Sequence, residues 1–95
     1  MRLIIRKEAE RDIAEGFSWY EAQRRGLGSD FIVEVATTLS NIESEPMRFP
    51  RVHRELRRAQ VRRFLYGAFF LAKPDSIVVV AVLHLARNPR RLRRS

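Results

Sequence analysis

The sequence predicts an α+β fold: a short N-terminal strand, then a two-helix hairpin packed on a three-stranded antiparallel meander. Residues 76–85 form an apolar run rich in β-branched residues, and residues 57–65 alternate with a period of two. Two stretches before residue 45 repeat apolar residues at every third or fourth position, as amphipathic helices do. We expect one domain, 1–95, with a basic C-terminal tail over 86–95.

Charge is divided unequally between the two halves of the chain. The net charge is +8, and residues 48–95 hold thirteen bases against two acids, whereas residues 1–47 hold six bases against nine acids. A basic half of this kind attracts nucleic acid or an acidic partner, although the same arginines also serve as a solvated surface. The chain has no cysteine, and no apolar run approaches the ~20 residues that cross a bilayer. We expect a cytoplasmic protein with no membrane segment, no metal and no other cofactor.

The first predicted strand and helix cover residues 2–25. Residues 2–6 are short and apolar and are expected to pair at a sheet edge. The helix is predicted over 7–25, because apolar residues recur at steps of four, four and three while acids crowd its start, where the helix dipole favours them. This apolar stripe consists of Ala9, Ile13, Phe17 and Tyr20. Gly26 is expected to end the helix.

A second helix is predicted over residues 29–44, with Ser29 or Asp30 as its N-cap. Its apolar stripe has the same spacing as the first, so the two helices are expected to form a hairpin with facing apolar seams. The stripe consists of Phe31, Val35, Leu39 and Ile42. Pro46 stops this helix, and residues 47–52 are expected to be a connector.

The predicted meander occupies residues 57–85. In 57–65, Ala59, Val61 and Leu65 are expected to face the core, with basic residues on the solvated side. A turn at 64–67 leads into a strand over 66–72, and a turn around Pro74 leads into the strand over 76–85. That last strand has no polar alternation, so we expect it to lie centrally and to be buried on both faces.

Short motifs along nearly the whole chain resemble the ParE/RelE superfamily of bacterial toxins, and most of all its ParE-like branch, the plasmid stabilisation proteins. One departure is visible, since that branch usually has Phe-Pro-Tyr where this chain has Phe64-Leu65-Tyr66; losing the proline loosens a turn. The matching segments, in order, are Trp19-Tyr20-Glu21, Gly26-Leu27-Gly28 followed by Phe31, Pro46 to Pro50, Arg63-Phe64-Leu65-Tyr66 and Ala81-Val82-Leu83-His84.

The resemblance implies the RelE/ParE-like fold and a toxin of a type II toxin–antitoxin pair. Such a toxin is neutralised by a small ParD-like antitoxin, acidic and helical, whose partly disordered segment wraps the toxin and gains order on binding. ParE-like relatives inhibit DNA gyrase, whereas RelE-like relatives cut messenger RNA on the ribosome. The ParE-like activity is the first hypothesis, and the RelE-like endonuclease is the alternative.

Proton-transfer residues separate these two hypotheses. Cleavage of RNA through its 2′-hydroxyl needs a base, an acid and cations within reach of one another. His84 and Tyr66 are the candidates for these roles, but His84 lies in an apolar run and is better explained as a structural imidazole, and Tyr66 as a partly buried aromatic. Basic residues abound while acid–base residues do not, so we expect no catalytic residue and favour the non-enzymatic hypothesis.

One group of arginines lies on or beside the strand over 57–65 and another follows the last strand, so we expect the two groups to meet at one end of the sheet. These arginines are the predicted contacts with an antitoxin or with gyrase, because arginine forms bidentate pairs with carboxylates and phosphates. Trp19 falls off the helix stripe, so it is either an exposed interface residue or partly buried against the second helix. The full predicted set is Arg58, Arg62, Arg63, Arg87, Arg90, Arg91 and Trp19.

A third hypothesis, a basic module that reads DNA directly, has less support. No helix-turn-helix or other reading element is visible in the sequence. Any contact with DNA is therefore expected to be indirect, through the antitoxin or gyrase.

Overall fold

The computed structural model describes residues 2–87 and contains two helices and five strands in that range. Of the predicted basic tail, only Ala86 and Arg87 belong to the described part. The elements, in chain order, are β1 (Arg2–Ile5), α1 (Lys7–Gln23), α2 (Leu27–Ser44), a 3-10 turn (Pro46–Arg48), β2 (Arg51–His53), β3 (Leu56–Val61), β4 (Tyr66–Ala72) and β5 (Ser76–His84).

The strands form one mixed sheet in the order β1-β5-β4-β3-β2. β5 pairs with β1 in parallel and with β4 antiparallel, which confirms the predicted central strand and the predicted edge strand at the N-terminus. The predicted meander is present as β3, β4 and β5. Residues 47–52 are not only a connector, however, because β2 begins within them and pairs with β3. All three residues of β2 are exposed, so no apolar alternation marked the strand in the sequence.

The helices cover one face of the sheet. Partners in the strand register point to the same face, and Ile77, Val79 and Val82 of β5 belong to the core that contains the buried residues of both helices. On the other face a smaller cluster is formed by Phe69, Ala81 and Leu83. β5 is therefore buried on both faces, as predicted, and the hairpin forms the second layer on one of them.

The helix hairpin is joined differently from the predicted way. Gly26, at φ 90°, is the residue directly before α2, and α2 begins at Leu27, so neither Ser29 nor Asp30 is its N-cap. The carboxylate of Glu21 in α1 accepts hydrogen bonds from the backbone N–H groups of Gly26, at 3.1 and 3.2 Å, and of Gly28, at 3.0 Å. An acid from the preceding helix thus satisfies the free N–H groups at the start of α2 and replaces a local cap.

The buried residues of α1 follow the predicted apolar stripe only in part, because Ala9 alone belongs to both sets. Ala9, Asp12 and Gly16 are the buried residues of this helix, and Ile13 packs at the margin of the core. Asp12 is buried against β5. β1 reaches along β5 only as far as Val79, which leaves the N–H of Val82 without a strand partner on that side. The Asp12 Oδ2 atom accepts a hydrogen bond from that N–H at 3.0 Å. Without this hydrogen bond the buried N–H of Val82 would be left unpaired. A side chain of α1 therefore supplies the acceptor that a longer β1 would have supplied.

The turn between β3 and β4 lies earlier than predicted. β3 ends at Val61, residues 62–65 form the turn, and Tyr66 already opens β4. Leu65 is 50% exposed, so its assignment to the core side of a strand was wrong. Phe64 is buried instead, because Arg63 adopts a left-handed conformation at φ 70° that ends the strand alternation before it.

Candidate interaction site

The end of β3, the start of β4 and the end of β5 lie side by side at one end of the sheet. We call this region the arginine end and define it by Trp19, Arg62, Arg63, Tyr66, His84 and Arg87. Val61 at the end of β3 is paired with Tyr66 at the start of β4, and Tyr66 is paired with His84 at the end of β5. Arg62 and Arg63 follow the first of these strands, and Arg87 follows the last. The prediction that the two arginine groups meet at one end of the sheet is correct for these three residues.

Arg87 connects the end of the sheet to α1. Its Nη2 atom donates a hydrogen bond to Tyr66 Oη at 2.9 Å, and its guanidinium carbon lies 4.3 Å from the centroid of the Trp19 ring. A guanidinium at this distance over an indole forms a cation–π contact worth about 0.5–2 kcal/mol. Trp19 remains 47% exposed, so it is a surface residue whose contact is Arg87. Arg87 presents its charge in a fixed position.

His84 orders the chain directly after β5. Its Nδ1 atom accepts hydrogen bonds from the backbone N–H groups of Ala86, at 3.1 Å, and of Arg87, at 3.0 Å. Because Nδ1 accepts, the proton of the neutral ring is assigned to Nε2. The ring also stands edge-on to Tyr66 at a centroid distance of 5.3 Å. The imidazole therefore fixes the backbone from which the Arg87 side chain extends.

Burial shifts the pKa values of both candidate proton-transfer residues. Burial first, and then the Arg87 charge, lower the pKa of His84 below its usual value of 6.5. Burial raises the pKa of Tyr66 above 10.0, and the nearby Arg87 opposes that shift only in part. At neutral pH the imidazole is therefore uncharged and the phenol keeps its proton. Arg87 is the cation among the three.

The stability of the protein should depend on the protonation of His84. The unfolded chain binds the proton first as the pH falls, because the pKa of His84 is lowered only in the folded state. The stabilising effect of the neutral ring is therefore complete above about pH 6.5 and is lost as the pH falls through the folded pKa. We expect the free energy of unfolding, measured in urea, to fall more between pH 7 and pH 5 in the wild type than in His84→Asn.

The His84→Asn variant is the matched control, because its amide oxygen can accept in place of Nδ1 and does not titrate. The charged groups that bear on this cluster are Arg87 itself and, through their effect on Tyr66, Asp12 and Glu15 of α1. An equal loss of stability in the two proteins would show that His84 does not carry the pH dependence.

The remaining predicted arginines differ in what they contact. Arg63 forms an ion pair with Asp30 at 3.6 Å, and its guanidinium lies 5.5 Å from the Phe64 ring centroid. Arg58 is exposed on β3, paired in register with Phe69, and the stem of its side chain lies beside Gly67, the second residue of β4. Arg62 is exposed in the turn. Arg90 and Arg91 lie outside the described residues.

Below the arginine end lies a cluster of aromatic rings that fixes Tyr66. Phe31 of α2 contacts Tyr66 and Phe64 at centroid distances of 4.8 and 5.3 Å. Tyr20 of α1 lies 4.7 Å from Phe64 and 5.9 Å from Tyr66. The first three of these pairs stand edge-on, and such pairs add about 0.5–1.5 kcal/mol each beyond their buried area. Residues of both helices thus help to fix the position of Tyr66, which accepts the hydrogen bond from Arg87.

Two kinds of feature, metal-ligand clusters and membrane-spanning helices, were looked for in the described part of the chain. Within residues 2–87, no group of three His, Asp or Glu side chains is arranged to hold a metal ion. Neither of the two helices there is long and apolar enough to cross a bilayer.

Comparison with known proteins finds the same fold in a solved structure. A chain of the structure described as "Chromosomal ParDE TA system from P. aeruginosa" superposes with a TM-score of 0.80 over 88% of this chain and 95% of that chain, at 14% sequence identity. No protein-family model matches the sequence, and no match is found among curated proteins. The match confirms the ParE-like fold that the sequence motifs predicted.

Proposed function

We propose that this chain is the toxin of a type II toxin–antitoxin pair, held inactive by a ParD-like antitoxin and acting in the cytoplasm on DNA gyrase. The observation that carries the proposal is the match of its fold to a chain of a ParDE system over most of both chains. The order of the sequence motifs that resemble the ParE-like branch supports it independently, because that resemblance was found from residues alone.

The geometry of the arginine end favours binding over cleavage of RNA. A ribonuclease needs an acid and a base that can both reach the reacting phosphodiester. Tyr66 is only 5% exposed, and its Oη atom accepts a hydrogen bond from Arg87. The Nδ1 atom of His84 accepts hydrogen bonds from two backbone N–H groups. What this surface offers a partner is an exposed indole and fixed cations, which are typical of residues at the centre of protein interfaces.

A RelE-like message endonuclease is the second candidate, because Tyr66, His84 and Arg87 do lie together. In that mechanism His84 would have to release Nδ1 from its two backbone hydrogen bonds before the ring could accept a proton, and Arg87 would hold the phosphate. Arg87 would have to leave Tyr66 Oη before the phenol could take part. This candidate ranks below gyrase inhibition, because both proton-transfer residues are occupied by bonds within the chain.

The basic half of the chain also supports an acidic antitoxin. Residues 48–95 hold thirteen basic and two acidic residues, so their field attracts a segment of opposite charge and speeds its association. A contact with DNA would then be made through the antitoxin or gyrase, since a positive field alone does not read sequence.

Growth of bacteria that express the chain tests this proposal. We expect expression to arrest growth, and co-expression of a short acidic protein from the neighbouring reading frame to relieve the arrest. Replacing Arg87, Arg90 and Arg91 with alanine should relieve the arrest without an antitoxin, because it removes charge from the proposed target contact. The matched control replaces Arg48, Arg51 and Arg54 with alanine and removes the same charge elsewhere. Growth that is unaffected by the wild-type chain would contradict the proposal.

A further inference from the structure

Gly67 lies inside β4, although a glycine weakens the interior of a strand. It is the second residue of β4 and is paired in register with Gln60 of β3 and with Leu83 of β5. Its φ is not positive, so the backbone conformation does not require glycine at this position. A glycine in such a place commonly marks the close approach of another group.

Two side chains from the neighbouring strands fill the space that a side chain at Gly67 would take. A Cβ atom there would lie 2.9 Å from Cδ2 of Leu85, and 3.1 and 3.2 Å from Cγ and Cδ of Arg58. Arg58 lies on β3, and Leu85 follows β5. Gly67 itself is buried. The stem of Arg58 therefore occupies a seat that is open because Gly67 has no side chain.

The guanidinium of Arg58, unlike its stem, is available to a partner. No hydrogen bond, ion pair or ring contact joins it to any other residue of the described range 2–87. The neighbouring Arg57, by contrast, donates a hydrogen bond to the Phe49 carbonyl oxygen at 2.6 Å. Phe69, the register partner of Arg58, is only 1% exposed. Long charged side chains commonly cover apolar surface in this way with their stems and keep the charged group in water.

Gln60 lies beside Arg58 on the same face of the sheet. Ala59 and Val61 of β3 belong to the core under the helices, so the alternation of the strand places Arg58 and Gln60 on the other face, about 7 Å apart. Both residues are exposed, and the Gln60 amide forms no hydrogen bond with the rest of residues 2–87. A fixed cation and an amide donor thus stand next to each other.

A single cation beside a neutral amide fits one carboxylate. The guanidinium can bind both carboxylate oxygens, and an amide N–H can donate to a remaining lone pair. Nucleic-acid strands are instead held by several cations that follow the phosphates. Arg58 is the one cation that β3 places on this face. An acidic side chain of a protein is therefore the better fit.

We propose that Gly67 is a positioning residue for Arg58, and that the guanidinium so held binds, together with Gln60, a carboxylate of a protein partner. An arginine whose stem is already seated has less conformational freedom to lose on binding, so the seat strengthens the contact. The proposal rests on the proposed function to the extent that the partner is the antitoxin or the target of a toxin.

The order of the Arg58 side chain tests the seat without any partner. Nitrogen relaxation of the Arg58 Nε–H group in the isotope-labelled full chain should give a higher order parameter than that of Arg62, which is exposed and has no contact of its own within residues 2–87. Gly67→Ala should lower the Arg58 value to that of Arg62, because the added methyl group displaces the stem. Leu85→Ala adds no atoms and opens the seat from the other side, so it should also lower the Arg58 value.

Gly16→Ala is the matched control for the loss of stability. It also adds a methyl group at a crowded glycine, but on the helix side of the sheet, next to Phe31. It should leave the order of the Arg58 side chain unchanged. An Arg58 as mobile as Arg62 in the wild type, or one equally disordered by Gly16→Ala and Gly67→Ala, would overturn the positioning role.

A blocked hexaglutamate peptide tests the bound group, with the side-chain amide resonances of Gln60 as the local readout. We expect affinity to fall about tenfold in Arg58→Gln, which loses the charge-assisted contact, and about threefold in Gly67→Ala, which loses only the seat. Gly67→Ala should cause no further loss in the Arg58→Gln background. Arg54→Gln, which removes one charge from the turn before β3, should change this affinity by less than about twofold.

Two results of this titration would overturn the proposal. One is a threefold effect of Gly67→Ala that persists after Arg58→Gln, since the glycine would then act without the arginine. The other is an oligothymidine with six phosphates that shifts the Gln60 resonances at lower concentration than the peptide, since the site would then be built for phosphate.

The proposal and the proposed function fail separately. A chain that arrests growth while its Arg58 side chain is as mobile as Arg62 would overturn the positioning role alone. A chain whose ordered Arg58 binds the acidic peptide, but which never arrests growth, would support the positioning role and contradict the toxin.

Discussion

Phe31→Ala is expected to lower the free energy of unfolding by about 3–5 kcal/mol, which is typical for removal of a buried aromatic ring. Phe31 is 0% exposed and touches Tyr20, Phe64 and Tyr66, so its loss leaves a cavity between both helices and the sheet. Urea unfolding followed by circular dichroism measures the change.

The matched control is Ile32→Ala at the next position of the same helix. Ile32 is 37% exposed, so its truncation should cost less than about 1 kcal/mol. If the two variants lose the same stability, the aromatic cluster is not the centre of the core that the structure shows.

Gly16→Ala is expected to destabilise the protein by about 1–3 kcal/mol, the usual cost of overpacking a core. Alanine would otherwise gain about 1 kcal/mol over glycine inside a helix. At this position, however, a Cβ atom would lie 2.6 and 2.7 Å from two atoms of the Phe31 ring, which is far inside van der Waals contact. The rigid ring is held by three other aromatic residues and cannot move away freely. Urea unfolding again gives the measurement.

The same substitution in a Phe31→Ala background tests the cause. With the ring gone, the added methyl group enters the cavity, so Gly16→Ala should become neutral or stabilising there. Ser18→Ala, at an exposed position of the same helix, should change stability by no more than about 0.5 kcal/mol in either background. A Gly16→Ala effect that is identical with and without the Phe31 ring would exclude the steric explanation.

Much of the fold could be predicted because apolar periodicity is a strong local signal. It defined both helices and β3, whereas the uninterrupted run of apolar, β-branched residues defined β5 and explains why β5 was placed centrally. β2 was missed because Arg51–His53 has no apolar residue facing the core. The cap of α2 was missed because Glu21 acts from the other helix, at a distance in sequence that local capping rules do not cover.

Asp12 and Gly16 were missed for a different reason. A search for apolar residues passes over a carboxylate and a glycine, yet both lie in phase with Ala9, at steps of three and then four, on the buried line of α1. An acid in such a phase is the signal that could have indicated a buried backbone partner, here the N–H of Val82. Which N–H it satisfies depends on where β1 ends, and only the assembled sheet determines that.

The candidate site was predicted in outline only. Meander topology alone places Arg62, Arg63 and Arg87 at one end of the sheet, and this was predicted from the turns. The contact of Arg87 with Trp19 joins the end of β5 to α1, and no sequence pattern encodes a pairing between such distant positions. The structural alternative for His84 agrees with its two hydrogen bonds to the following backbone.

We propose that the chain, when free of an antitoxin, disables another macromolecule by binding it and does not cut RNA itself. The most direct test adds the purified chain, in parallel, to gyrase supercoiling of plasmid DNA and to messenger RNA bound on the ribosome. We expect loss of supercoiling and accumulation of cleaved DNA held by gyrase, with the message intact. Message cleavage that is abolished by His84→Ala, with supercoiling unaffected, would contradict it.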